Sequence, residues 1–234
     1  MVFLESTHMI VKECFIEDLD LKYFIGINQI SLNYQDLIEL NNLKNDKEAL
    51  EFLISLASQI NEDIKDIVVQ FIDDELILNQ EHIFKSIYFV QKAFKNNLNI
   101  SKSKSMEELL YLSSQRQIKK GIEAFGVKIQ ELKNGKLTYL ILSQNNNIDN
   151  INQEILQRIN GKNMEITINN ISIEKLEKIK QYFNISNNQI NSIINSYDKQ
   201  EVADNENLNL SILAIHDILC EKMSILSLEK IKTD

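Results

Sequence analysis

The chain has 234 residues, 44% of them hydrophobic, a formal net charge of -9, no proline, five glycines and two cysteines. That length holds one large domain, or a domain with an elaboration, and a real core; Cys14 and Cys220 are too few for a disulfide framework and have no zinc-type spacing. No window reaches the roughly 20 apolar residues of a membrane span, and residues 1–10 lack the basic start and apolar run of a signal peptide, so the expectation is a soluble cytoplasmic protein with no membrane partner.

Residues 9–16 and 23–30 alternate or run apolar around the acidic turn 17–20, which predicts a strand hairpin. From Tyr34 to Ile60 the spacing becomes helical, interrupted by a polar linker, with Asp46 as the expected cap of the second helix. Residues 67–72, IVVQFI, read as a buried strand ended by Asp73-Asp74-Glu75. Three consecutive carboxylates invite a metal, but with no second acidic cluster at ligand spacing a solvated turn is the plainer reading. Asn79 then caps a helix over 80–94, with His82 in its first turn as a surface or packing residue, not a ligand.

Further on, LTYLIL at 137–142 and residues 164–168 predict strands. Residues 149–159, 171–183 and 186–197 predict helices, the first closed by Gly161 and the second capped by Ser172 with Ile173, Leu176, Ile179 and Phe183 inward. From Leu208 to Ile231 runs a long helix whose apolar stripe is too wide for one core-facing side. One side can face the protein's own core; the other implies a partner or a second layer. His216 and Cys220 lie four apart on it, a spacing for which packing is the plainer account.

Charge is uneven. Residues 92–136 carry 10 Lys/Arg against 4 Asp/Glu, while 1–91 carry 6 against 17. Within that basic island, residues 101–128 hold Arg116, one of two arginines. Ser105 with Glu108, and Ser114 with Gln117, match the capping-box spacing, which predicts two helices broken at Ser113-Ser114. The second should turn Ile118, Ile122 and Phe125 inward and stop at a left-handed Gly126. Gln115, Arg116 and Gln117 then sit at a helix N-terminus, a plausible anion-binding corner. No nucleophile with a base, glycine-rich phosphate loop or ligand cluster appears, so neither catalysis nor a cofactor is expected.

The run Ser113-Ser114-Gln115-Arg116-Gln117-Ile118 resembles the S-G-x-R-Q-I sequence of the Cgi or PRPK-binding (TPRKB-like) family, archaeal type, a small subunit of the KEOPS complex. VVQFIDDELILNQEHIFKSIYFVQKAF and SKSKSMEELL upstream, and GIEAFGVK, LTYLILS and CEKMSILSLEK downstream, are similar in the same order. Ser114 stands where members usually have glycine and Gly121 where alanine is common. The resemblance implies an α+β fold: a small, mainly antiparallel or mixed sheet packed with a helical subdomain and a long C-terminal helix. Residues 67–234 would form the family core, with 1–66 an elaboration of the same domain.

It further implies a non-catalytic subunit that binds the KEOPS kinase/ATPase subunit and the tRNA 3′ CCA end, in the assembly that makes threonylcarbamoyladenosine. On this reading Lys102, Lys104, Ser113, Ser114, Gln115, Arg116, Gln117, Lys119 and Lys120 contact RNA. Ile215, Leu219, Met223, Ile225, Leu226 and Leu228 meet the kinase. Two alternatives stand beside it: a pure interaction module that docks a kinase without touching RNA, and an Arg116 that merely joins a carboxylate network with Glu107 or Glu123.

Overall fold

A computed structural model describes residues 9–197 and 207–231, with the side chains of the last helix described from Leu208 to Leu226. The strands are β1 (Met9–Ile16), β2 (Leu21–Ser31), β3 (Ile67–Ile72), β4 (Lys136–Ser143) and β5 (Lys162–Asn163). The helices are α1 (Tyr34–Leu40), α2 (Asp46–Asp63), α3 (Gln80–Lys95), α4 (Lys104–Ser113), α5 (Ile118–Phe125), α6 (Ile129–Lys133), α7 (Ile148–Ile159), α8 (Ile173–Phe183), α9 (Asn187–Ile194) and α10 (Asn207–Ile231). The fold is α+β, as the sequence predicts. The chain divides into two compact units, one of residues 9–74 with Phe125–Thr167, the other of Glu75–Ala124 with residues 168–197 and 207–231.

The first unit is built on an antiparallel sheet in the order β1-β2-β4-β3, with β5 added at the end of β2. Apolar residues at alternate positions, among them Phe24, Ile30, Val69, Phe71, Tyr139 and Ile141, form one core with Leu53, Leu56 and Ile60 of α2 and Ile151, Ile155 and Ile159 of α7. Side chains two apart on a strand share a face, so one alternating set supplies this layer. Helix α7 comes so close to β2 that a Cβ on Gly26 would stand 2.5 Å from Cγ2 of Ile148.

Several polar side chains inside the sheet bond one another, while Asn28 Oδ1 is buried with no hydrogen-bond partner among the described residues. Asn28 Nδ2 donates to Oδ1 of Asn152 (2.7 Å) and of Asn163 (2.8 Å), and the Tyr139 hydroxyl donates to Asn152. The outer edge of β3 is covered by Asn61, whose amide accepts from Val69 N and donates to Val69 O, standing in for a neighbouring strand.

Local chemistry departs from the expected punctuation in several places. Asn45, not Asp46, caps α2, its side chain accepting from Glu48 N; Asp46 is the first helical residue and instead pairs with Lys133. Residues 164–168 contain no strand, because only Lys162 and Asn163 pair with β2 before the chain turns away. Ile173 is 72% exposed at the first position of α8. Asn160, in left-handed conformation, ends α7 ahead of Gly161, and Gly126 is not left-handed but bridges Ile72 in extended pairing.

The second unit is helical. Helix α10 packs on α3, α4, α8 and α9, and Ile83, Ile87, Val90, Leu109, Leu112, Leu176, Ile179 and Ile190 are buried with Ile215, Leu219 and Met223. His82 is fully buried here, its ring edge-on to Phe183 at 5.9 Å and its Nδ1 accepting from Leu78 N. Burial, with His216 nearby, pushes its pKa down to about 3, so it stays neutral. The Asn79 cap is present as expected.

Candidate functional site

Helix α4 begins at Lys104. Ser103 is its N-cap residue but makes no side-chain cap bond, and the Ser105–Glu108 capping box does not form. The reason is burial: Glu108 turns inward to accept a hydrogen bond from Ser86, and Glu107 accepts from the backbone N–H groups of Ile100 and Ser101. Burial, together with the Glu107 charge, raises the Glu108 pKa to about 8, the Ser86 bond opposing. At the far end Ser114 adopts φ 51, a left-handed C-cap whose N–H bonds back into α4. It therefore ends one helix instead of starting the next, and the expected Ser114–Gln117 box is absent. A serine here occupies the conformation for which glycine is the least strained residue.

Helix α5 is rotated relative to expectation. A Cβ on Gly121 would lie 3.2 Å from the Leu109 carbonyl oxygen and 3.3 Å from Cδ2 of Leu110. The bare backbone of Gly121 therefore sits against α4 and turns Ile118 and Ile122 outward, each 44% exposed. Phe125 alone of the three predicted apolar positions is buried.

Between these elements lies a cleft of about 450 Å³ lined by residues 113–117, Tyr182, Phe183, Asn184, Lys222, Ile225 and Leu226. Five residues read as RNA contacts thus share one wall system with two read as partner contacts. Arg116 joins the two sides, its Nη1 donating to the Leu226 carbonyl at 2.9 Å. Of the carboxylates read as its alternative partners, Glu107 is buried on the 100–101 backbone and Glu123 pairs with Lys119 at 3.8 Å. Ser113 is fully buried, donating to the Leu110 carbonyl and hydrogen-bonded to Tyr182, whose pKa burial raises. The Ser114 hydroxyl is enclosed beside the cleft with no hydrogen-bond partner.

The other predicted residues are distributed around this cleft or away from it. Lys119 and Lys120 are exposed on the first turn of α5. Lys102 and Lys104 stand at the opposite end of α4, roughly 15 Å away by helical rise, and Lys104 donates to Gln91 Oε1 at 2.8 Å. On α10, Ile215, Leu219, Met223 and Leu226 are buried in the unit's own core, whereas Ile225 is 41% exposed. The Leu228 side chain lies outside the described residues. Sequence reasoning missed Tyr182, Phe183, Asn184 and Lys222. Lys222 was findable, because it lies three and four residues from Ile225 and Leu226 on the same helical face.

In the sheet unit, carboxylate oxygens of Asp73, Asp74 and Glu131 lie within 4.8 Å of one another. Two ammonium groups already serve them, Lys128 on Asp73 and Lys136 on Asp74 at 2.8 Å, and Gln29 and Thr138 donate to Asp74. Burial pushes Glu131 up to about 8, with Asp73 and Asp74 adding to the rise. Glu75 takes no part and pairs with Lys178 at 2.9 Å. A cation would have to displace lysines here, so the arrangement works as a cross-linked polar corner. His216 and Cys220 approach to 3.7 Å and Asp217 Oδ1 lies 3.8 Å from His216 Nδ1, but these groups do not close into a cluster of metal-ligand spacing among the described residues.

Among the described residues no helix is long and apolar enough to cross a membrane. A family model described as kinase binding protein CGI-121 matches residues 40–225. No curated protein matches the chain.

Proposed function

The chain belongs to the CGI-121 family of kinase-binding proteins, and from that membership we propose that it is a non-catalytic accessory subunit of KEOPS that docks the kinase/ATPase subunit and holds the tRNA 3′ CCA end. One observation carries this reading: the cleft brings the Ser113–Gln117 loop and the α10 wall together, with Arg116 bonded to Leu226. Its polar side offers amide, hydroxyl, guanidinium and ammonium groups beside Tyr182 and Phe183, the mixture that suits a splayed single-stranded end. Ile225 at its rim, and Ile118 and Ile122 on α5, are large apolar side chains left 41–44% exposed. Such a rim suits a protein partner.

In this reading Arg116 and Lys222 hold a terminal phosphate, Gln115 and Gln117 meet base or sugar edges, and Lys119 and Lys120 add salt-sensitive attraction. The kinase face is Ile118, Ile122 and Ile225, while Ile215, Leu219 and Met223 support it from within. Co-purification with the partner kinase tests the first half: Ile118→Glu with Ile225→Arg abolishes it while far-UV CD is unchanged. Binding to tRNA with and without CCA tests the second. Intact tRNA binds about tenfold tighter, roughly 1.4 kcal/mol, and Arg116→Ala with Lys222→Ala removes the difference. Equal binding of both tRNAs by the unaltered protein refutes the CCA assignment. The pure interaction module is the second reading, and the Arg116–Leu226 bond favours it, since that guanidinium serves a protein carbonyl.

A further inference from the structure

The two edges of the sheet are finished differently. At the β3 edge the Asn61 amide bonds both the N–H and the C=O of Val69, as a neighbouring strand would. At the other edge stands β1, eight residues long and paired with β2 alone among the described strands. In an antiparallel pair alternate residues turn their N–H and C=O away from the partner, so such an edge presents a row of donors and acceptors to any strand that can lie beside it. This strand precedes the residues 40–225 that the family model matches.

Val11, Glu13 and Phe15 share one face of the sheet with Phe24 and Gly26, while Ile10, Lys12, Cys14 and Ile16 share the other. Val11 is 47% and Phe15 57% exposed. Between them Glu13 pairs with Lys22 of β2 at 2.8 Å, so its charge reaches the edge already countered. Symmetry restricts how a second copy could add here. Two copies of one strand pair antiparallel about a two-fold axis through the sheet, and facing residues must share a face, so the axis passes between one residue and its own counterpart. Centred on Glu13, the pairing sets Val11 against Phe15 of the second copy and Ile10 against Ile16, each twice, an aromatic with a β-branched residue and apolar with apolar. Centred on Lys12, it opposes lysine to lysine and Val11 to Glu13; centred on Cys14, it opposes Phe15 to Glu13.

We infer that β1 is a homodimerisation edge, at which two copies of this chain join antiparallel through residues 10–16 with Glu13 on the two-fold axis. The covered β3 edge offers no equivalent place for a further copy, so the assembly closes at two. The contact is independent of the kinase and tRNA readings, which rest on the other unit.

The test is sedimentation equilibrium of the full chain from about 5 to about 500 μM, a range suited to an interface at the small, transient end of the scale. The weight-average mass rises towards twice the 27.2 kDa of one chain. Val11→Lys with Phe15→Lys holds it at one chain throughout, whereas Ile118→Glu, in the other unit, leaves the rise as it is. Oxidation in a Cys14→Ser, Cys220→Ser background reads the register. There Glu13→Cys cross-links into a reducible dimer, because residues facing across the axis lie about 4.5–5.5 Å apart at Cα. Lys12→Cys does not, its counterpart lying diagonally at about 7–8 Å. A single-chain mass at every concentration assigns the edge to a strand of another protein and overturns the inference. So does a mass rising beyond two chains, a dimer that survives the double lysine variant, or a cross-link that fails at Glu13→Cys or forms as readily at Lys12→Cys. Melting temperatures within about 2–4 °C of wild type show that the variants are folded.

Discussion

The acidic corner of the sheet unit and the basic cleft of the helical unit are both clusters of charge, but they are completed differently. Around Asp73 and Asp74 the chain supplies its own counter-groups, two lysines, a glutamine and a threonine. At the cleft, Arg116 bonds the Leu226 carbonyl, and the Ser114 hydroxyl is enclosed with no hydrogen-bond partner among the described residues. A charged cluster whose partners are internal contributes to folding, whereas one whose walls are half-exposed and apolar at the rim is available for binding.

Asp74→Ala should break this contrast most strongly. It leaves Gln29, Thr138 and Lys136 without their common acceptor and should cost about 2–4 kcal/mol in denaturant-induced unfolding. Next is pH. Glu131 and Glu108 both titrate near 8 when folded against an ordinary carboxylate value when unfolded. Between those values the folded chain holds protons that the unfolded chain has released, so stability is fullest at about pH 4–5 and falls as pH rises towards 8. Glu108→Gln with Glu131→Gln should flatten that decline, which denaturation midpoints at pH 5, 6.5 and 8 would reveal.

Arg116→Ala sharpens the comparison from the other side. It should cost only about 1 kcal/mol of stability, since the side chain is part-exposed on the cleft wall, while tRNA binding falls by the larger factor given above. Smallest of all, Lys119→Ala breaks an exposed ion pair of 3.8 Å to Glu123 and should move stability by about 0–0.5 kcal/mol. A stability loss at Arg116 as large as at Asp74 would erase the distinction between the two regions.

Much of the fold was legible where one period dominates. The hairpin of β1 and β2, the buried run of β3, and helices α3, α7 and α10 follow from alternation or helical spacing alone. Less legible were positions where two rules compete. Asn28 and Gln29 sit at the centre of β2, fully buried; nothing in their neighbourhood announces the distant residues Asn152, Asn163 and Asp74 to which their amide groups donate. Ile118 and Ile122 have perfect spacing for a core face, yet the side-chain-free Gly121 packs more closely and takes that place. At the cleft, the loop was visible from its motif, but Tyr182 and Asn184 enter from a helix end some 65 residues later, a closure that only tertiary structure provides.

Asparagine does much of the work at helix boundaries. It caps the starts of α1, α2 and α3 through Asn33, Asn45 and Asn79, and in left-handed conformation it ends α7 and α8 through Asn160 and Asn184. That choice gives the protein a chemical ageing site. Asn160 precedes Gly161, and a glycine leaves the following backbone nitrogen unhindered to attack the side-chain amide, ejecting ammonia. Hydrolysis of the ring then leaves aspartate or isoaspartate, a new negative charge at the already negative C-terminal end of α7. Storage at raised pH should therefore add acidic isoforms, detectable as a 1 Da mass increase, with α7 the first helix to loosen.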